Sequence, residues 1–583
     1  MRVLHSIVAV TLAASSAAAQ TTSDIIMLER IEAEGTERTQ VDQLFGTLVD
    51  HFGARLTASP TYVRASEWAR DRFSDWGLSD ARLEPFDFES GWSLEKFTVE
   101  MMSPHYVPLM GVPLAWAPST RGEITGPLVY LGDKSPDEIV AMAARVRGAI
   151  VLQDPPQSLY FRRDRVQPTS VAGASRSGSP FMPANREEAT RRGALATELW
   201  KMEPAIVLSP SFGEHGTIFV GGGPPLIQAL PDGDTLKLNT VPGAILAAEH
   251  YNMLVRMVGA GEPVELRVET RGTFHDQGGL AYNVLADLPG TDPELRNEVV
   301  MIGAHLDSWH GGVGATDNAD AVAAAMEAMR ILREVDARPR RTIRIALWGA
   351  EEVGMVGSRT YVESLTPEEL ENISVYLNDD PGTGPTYGFY MEENAEAKAI
   401  FDRWLAVLGD VGVRRNVFEG IGGTDHVAFD ASNVPAFTAI KDYTDYDTRT
   451  HHTNADLAER VRRVDLVQSA VVLASMAWLA ASADEKVPRR PAGPSPTVGR
   501  WGAIVGDPTN LDPVVGARVS LEGTDHTGTT NERGELVLDG LAGGRFTIVI
   551  EHPEYAPYRF ENALVRAGRL TFTNYWLQPA PTR

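Results

Sequence analysis

The chain has no cysteine among its 583 residues. Disulfide staples, thiolate zinc sites and cysteine nucleophiles are excluded, so any transition-metal site must be built from His, Asp and Glu. Positive charge is also scarce. Lys and Arg number 53 against 78 Asp and Glu, a formal net charge of −25. A basic surface is missing at the scale of the whole molecule, which argues against nucleic acid as a partner. No Gly-x-Ser-x-Gly nucleophile elbow stands out, which disfavours a serine hydrolase. Beyond the N-terminus, no run is apolar for the ~20 residues that a membrane span needs.

What is present is ordinary globular material, with 43% hydrophobic and 22% charged residues. The length exceeds the about 250–300 residues at which single cores stop growing, so several domains are expected. Arg2, the apolar run 8–14 and the small residues Ala17, Ala18 and Ala19 have the pattern of an export signal cut after residue 19. The expectation is an exported protein, periplasmic or extracellular.

The pattern changes along the chain. Residues 20–119 hold amphipathic helical runs, including 62–76, and two strand-like runs at 81–88 and 94–102. Residues 120–270 carry short β-rich runs around an Arg-rich stretch, 161–192, that reads as loop, and they resemble the protease-associated domain. Residues 271–484 alternate strand and helix, as an α/β sandwich with a mostly parallel sheet does. A Pro-rich linker, 485–499, follows. Residues 500–583 read as all-β and resemble a transthyretin-like or carboxypeptidase-regulatory-like sandwich.

The chemistry-bearing residues fall at strand ends. The apolar run 299–303 leads into His305-Leu306-Asp307-Ser308. Ligands of open α/β sheets sit beyond such carboxyl ends. A ligating His hands its other ring nitrogen to an acceptor, and Asp307 is spaced for that role, although a strand-end polar cap explains the pair equally well. Asp317, in Thr316-Asp317-Asn318-Ala319, stands at a helix start, where Asp is also a favoured N-cap. A second apolar run ends in Gly349-Ala350-Glu351-Glu352, a third in Asn378-Asp379-Asp380-Pro381-Gly382-Thr383, and a polar loop holds His451-His452-Thr453-Asn454-Ala455-Asp456. Adjacent carboxylates repel unless cations or protons divide their roles. His and carboxylate together suit zinc or manganese.

Taken in order, these five motifs resemble the co-catalytic zinc exopeptidases related to secreted bacterial aminopeptidases, carboxypeptidase Q and glutamate carboxypeptidase. The resemblance implies a site with two zinc ions. Asp317 would bridge them, with His305 and Asp380 on one and Glu352 and His452 on the other. Glu351 would be the general base and Asp307 would orient His305. Asp380 is preferred to Asp379 because x-Gly-Thr follows it, and His452 to His451 because Thr follows it, with an acid three residues after that. Asp379 departs from the pattern by adding charge beside a ligand. The segment Gly422-Gly423-Thr424-Asp425-His426 resembles a stretch near the substrate, and Tyr443 and Tyr446 offer hydroxyls to an oxyanion. Trp309 and His310 are candidates to line the pocket.

The expected activity is hydrolysis of a terminal peptide bond of a peptide or dipeptide, aminopeptidase favoured. The alternatives are a carboxypeptidase Q-like dipeptidase or carboxypeptidase, an N-acyl amino acid hydrolase, a single-zinc glutaminyl-cyclase-type acyltransferase, and a metal-free binding protein on the same fold. Side-chain preference and oligomeric state have no signature in the sequence.

Overall fold

The computed structural model describes residues 24–132, 134–162, 164, 198–199, 201–222, 227–229, 235–237, 241–276, 278–418, 420–490, 498–507, 513–532, 534–565, 567, 570–577 and 579–580. The expected export signal and most of the Arg-rich stretch 161–192 lie outside the described residues, as do residues 491–497 of the linker.

The central sheet has seven strands in the order Ser79–Asp87, Leu280–Leu288, Thr342–Trp348, Val299–His305, Ile373–Asn378, Ala436–Asp442 and Thr383–Phe389. The four strands from Thr342–Trp348 to Ala436–Asp442 in that order run parallel, and antiparallel pairings flank them on both sides. Alternation along Val299–His305 explains why both faces must be covered. Val300, Ile302 and Ala304 enter one apolar core, while Met301 enters another with Trp348, Tyr376 and Phe429. The helices Asp320–Glu334 and Arg463–Ser482 pack together over the first face. The helices Val356–Ser364 and His426–Ala431 cover the second. The result is an αβα sandwich.

Contrary to the expectation that no run beyond the N-terminus is long and apolar enough, Arg463–Ser482 could cross a membrane by length and composition, but 89% of its apolar window is buried inside the fold. It is a core helix. The helix Pro60–Asp75 starts where Ser59 accepts the N–H of Tyr62 and Pro60 takes the first position, a local N-terminal signal in its own right.

A second sheet of eight strands begins with Gly91–Ser103, which pairs along its length with Glu265–His275. This moves the start of the β-rich region from the expected 120 to about residue 91. The strand run 94–102, read from sequence as part of the first segment, belongs to the second sheet, because strand pairing joins residues that sequence proximity separates. The C-terminal region forms a three-stranded and a four-stranded sheet around a core that includes Trp501, Val519, Leu541 and Ile548. Around the linker, Arg490 pairs with Asp430 at 2.5 Å and Arg500 with Glu393 at 2.6 Å.

Candidate metal centre

The register of the parallel strands sets the site. His305 lies opposite Trp348, and Gly303 opposite Asn378, so three strands end at one edge. The chain leaves that edge through the turns that carry His305, Glu351 with Glu352, and Asp379 with Asp380. Close packing fixes the second turn, since a Cβ on Gly349 would run into the Tyr62 hydroxyl, which itself donates to the Tyr282 carbonyl.

Asp317 stands at the middle of the cluster, 5% exposed. Its Oδ1 lies 3.1 Å from His305 Nε2, and its Oδ2 lies 3.3 Å from His452 Nε2. Gly314, at φ +60°, turns the chain into this segment, and the Asp317–Asn318 peptide bond is cis. His305 Nε2 is also 3.9 Å from Asp380 Oδ2. On the other side, His452 Nε2 is 2.8 Å from Glu352 Oε2. His305, Asp317 and Asp380 therefore converge on one point, and Asp317 converges with His451 and His452 on another, which Glu352 reaches through His452. Asp317 Oδ2 and both Glu352 oxygens are buried without a hydrogen-bond partner. Buried carboxylate oxygens are rarely left so, and their contact with His452 lacks hydrogen-bond geometry.

Of the two adjacent acids, Asp379 is buried and pairs with Lys441 Nζ at 3.1 Å. Of the two adjacent histidines, His451 stacks on Tyr446 with ring centroids 4.9 Å apart, and its Nε2 is 3.9 Å from Asp317 Oδ2.

Asp307 meets His305 differently from the expectation. Its main-chain carbonyl is 3.0 Å from His305 Nδ1, whereas its carboxylate is 3.6 Å away. That carboxylate instead accepts the Thr57 hydroxyl at 2.8 Å and the N–H groups of Glu351 at 3.1 Å and Glu352 at 3.3 Å. Asp307 thus fixes the turn that presents both glutamates.

The crowding of charge shows in the titrations. Burial raises the Glu351 carboxyl well above its usual range; His305 pulls against that, and Asp380, Asp425 and Glu352 add to it. Burial first and the Asp317 charge second push Glu352 up to about 7. Burial opposes the charge on Asp317, but His305 and His452 outweigh it and hold that carboxyl well below the ordinary range. Both adjacent glutamates are thus held above the ordinary carboxylate range.

Further residues brace the cluster. Asp456 accepts the N–H of Thr316 at 2.7 Å and its hydroxyl at 2.9 Å, which ties the His452 loop to the Asp317 segment. The second sheet region grips the same loop. Val220 N–H donates to the His452 carbonyl at 2.7 Å, and Asn454 exchanges hydrogen bonds with Ile218. Trp309 packs edge-on to His452 at 5.9 Å. Tyr443 and Tyr390 share a hydroxyl hydrogen bond of 2.9 Å, and Tyr446 lies beside Tyr443. Asp425 bonds Ser358, and His426 Nε2 lies 3.1 Å from Glu392 Oε1. A cavity of about 630 Å³ lined by Lys398, Asp402, Arg414 and Phe418 shares no residue with the cluster.

The sequence profile of Peptidase family M28 matches residues 283–477, which contain every residue of the cluster from His305 to His452. Residues 283–477 are an M28 peptidase domain. A second profile, the carboxypeptidase regulatory-like domain, matches residues 502–574. Human carboxypeptidase Q is 26% identical over 445 residues, covering 76% of this chain and 85% of its own length. The crystal structure of a peptidase M28 precursor from Shewanella amazonensis superposes with a TM-score of 0.60 at 22% identity, over 81% of this chain and 100% of that one. A zinc aminopeptidase from Bacillus subtilis superposes with a TM-score of 0.50 at 16% identity, over 78% of this chain and 97% of that one. The profile match and these relatives support a metallo-exopeptidase.

Proposed function

We propose that this M28 peptidase is an exported two-zinc exopeptidase that removes the amino-terminal residue of peptides or dipeptides. The observation that carries the metal reading is the set of buried Asp317 and Glu352 oxygens that face two imidazoles without hydrogen bonds. The donors are nitrogen and carboxylate oxygen only, a set that suits zinc. His305 and Asp380 would hold one ion, Glu352 and His452 the other, with Asp317 between them.

When bound, the pair supplies an acidified water and a Lewis acid for the scissile carbonyl. The rest belongs to the chain. Glu351, kept basic by burial and neighbouring carboxylates, accepts a proton from the attacking water. It returns that proton to the departing amine nitrogen as the C–N bond breaks. Asp307 holds Glu351 and Glu352 in place through their N–H groups.

The amino-terminal preference rests on charge. The gap at the cluster is bounded by Trp309, Gly312, Gly314, Asp317, Glu352, His452, Thr453 and Asp456, with no Lys or Arg among them. Among the described residues, that wall offers a terminal carboxylate no cationic partner. The likeness to carboxypeptidase Q favours a second reading, cleavage from the carboxyl end. Hydrolysis of free-amine and N-blocked dipeptides, with and without chelator, separates them. Chelator-sensitive cleavage of free-amine substrates alone is expected. Cleavage of N-blocked substrates at the other end would move the assignment to a carboxypeptidase.

A further inference from the structure

Two cations are buried against the carboxylate cluster, and neither takes part in the chemistry above. Arg55 is 0% exposed. Its guanidinium donates only to main-chain carbonyls: Leu306 and Gly53 at 2.8 Å, Val313 and Gly314 at 3.0 Å, and Leu48 at 3.3 Å. Among the described residues, no carboxylate oxygen comes within 4.0 Å of it. Leu306 and Gly314 lie between His305 and Asp317 in the chain, so the fork spans the segment that links the two. Lys441 is 2% exposed. Its Nζ is 3.1 Å from Asp379 Oδ2 and donates to Ser469 Oγ at 2.9 Å. Buried Asp320 also feels its charge.

A buried cation held by carbonyls rather than by its own carboxylate keeps its field for its surroundings. Burial lowers the Arg55 pKa to about 10, while the charges of Asp456, Asp307, Asp317 and Glu352 work to raise it. Those acids share one dehydrated pocket, where like charges repel strongly without a counter-charge. Zinc would supply that counter-charge once bound, but the chain must fold before it can bind metal in a formed site.

We propose that Arg55 and Lys441 are standing counter-cations, positioning residues that keep the carboxylate cluster assembled in the metal-free protein until zinc enters. The inference rests on the two-zinc reading. It predicts a state dependence that ordinary packing does not. In the metal-free protein the two cations offset part of the acids' charge. In the zinc-loaded protein the metal takes over that role, and the cations contribute less.

The test is thermal unfolding of the full chain, chelator-stripped and zinc-loaded, in wild type, Lys441→Met and Arg55→Met. The stripped variants should lose roughly 5–10 °C, and the loaded variants less than half of that. Lys441→Arg, which keeps the charge, should narrow the gap between the two losses. Equal losses in both states would mean that the side chains only fill space, and would overturn the proposal. Should a stripped variant fail to stay folded, refolding with zinc chloride decides: recovery with zinc supports the proposal, and failure with and without zinc overturns it. A wild type that binds no zinc defeats the two-zinc reading itself, an outcome distinct from equal losses in a wild type that does bind it.

Discussion

His452 Nε2 lies 2.8 Å from Glu352 Oε2, yet neither oxygen of Glu352 has a hydrogen-bond partner. Two groups that close and that badly aligned for each other are placed for a third between them. Each comes from a different element, Glu352 from the turn after Thr342–Trp348 and His452 from a loop clamped by residues 218–220. Their meeting is therefore a property of the assembled fold.

Removing either ligand should cost more than the about 10–100-fold typical of groups that only support ligands. Glu352→Ala and His452→Ala are each expected to lower zinc content to about one per chain and kcat/KM by more than ~100-fold. Elemental analysis with steady-state kinetics checks both. A variant with full zinc and full activity would remove that residue from the ligand set.

Asp307→Asn keeps the main-chain carbonyl that faces His305 but puts an amide where one carboxylate receives three donors. Zinc content should stay at the wild-type level while kcat falls about 10–100-fold, because the glutamate turn loosens. Thr57→Val, which removes one of the three donors, should have the smaller effect. Loss of zinc in Asp307→Asn would mean that its main contribution is to His305.

Arg330 lies buried between Glu327 and Glu34, 2.8 Å from each. Arg330→Met leaves buried Glu327 without its counter-charge, while Glu34 keeps Arg38, and should destabilise the fold by about 3–5 kcal/mol. Denaturant unfolding measures the loss. The kcat of the folded fraction should not change, since the triad lies outside the cluster.

His310 predicts an acid limit to stability. Burial lowers its pKa from 6.5 to about 4, and its Nε2 hydrogen bonds the Pro113 carbonyl at 2.8 Å. The unfolded chain takes up a proton near pH 6.5 and the folded chain only near 4, so this contribution is present above 6.5 and is lost as pH falls towards 4. His310→Phe should flatten the fall of Tm with pH across that window. An unchanged slope would show that other groups set it.

The strand-end positions of His305, Glu351 and Asp380 were legible in the sequence because each follows an apolar run, and the run 299–303 became the strand Val299–His305. The sandwich and the M28 likeness were legible for the same reason. Arg55 and Thr57 were not, because they reach the site from about 250 residues away in the chain and belong to no motif. The carbonyl of Asp307, rather than its carboxylate, faces His305, and a main-chain group leaves no mark on residue identity. The pairing of the run 94–102 with Glu265–His275 was not legible, because strand-like runs do not name their partners.

The most direct test of the account is the zinc content of the purified protein, before and after dialysis against chelator and after zinc is added back. About two zinc ions per chain, lost with activity and regained with it, is the predicted result. A protein that takes up no zinc, or hydrolyses peptides equally well without it, would contradict the central claim.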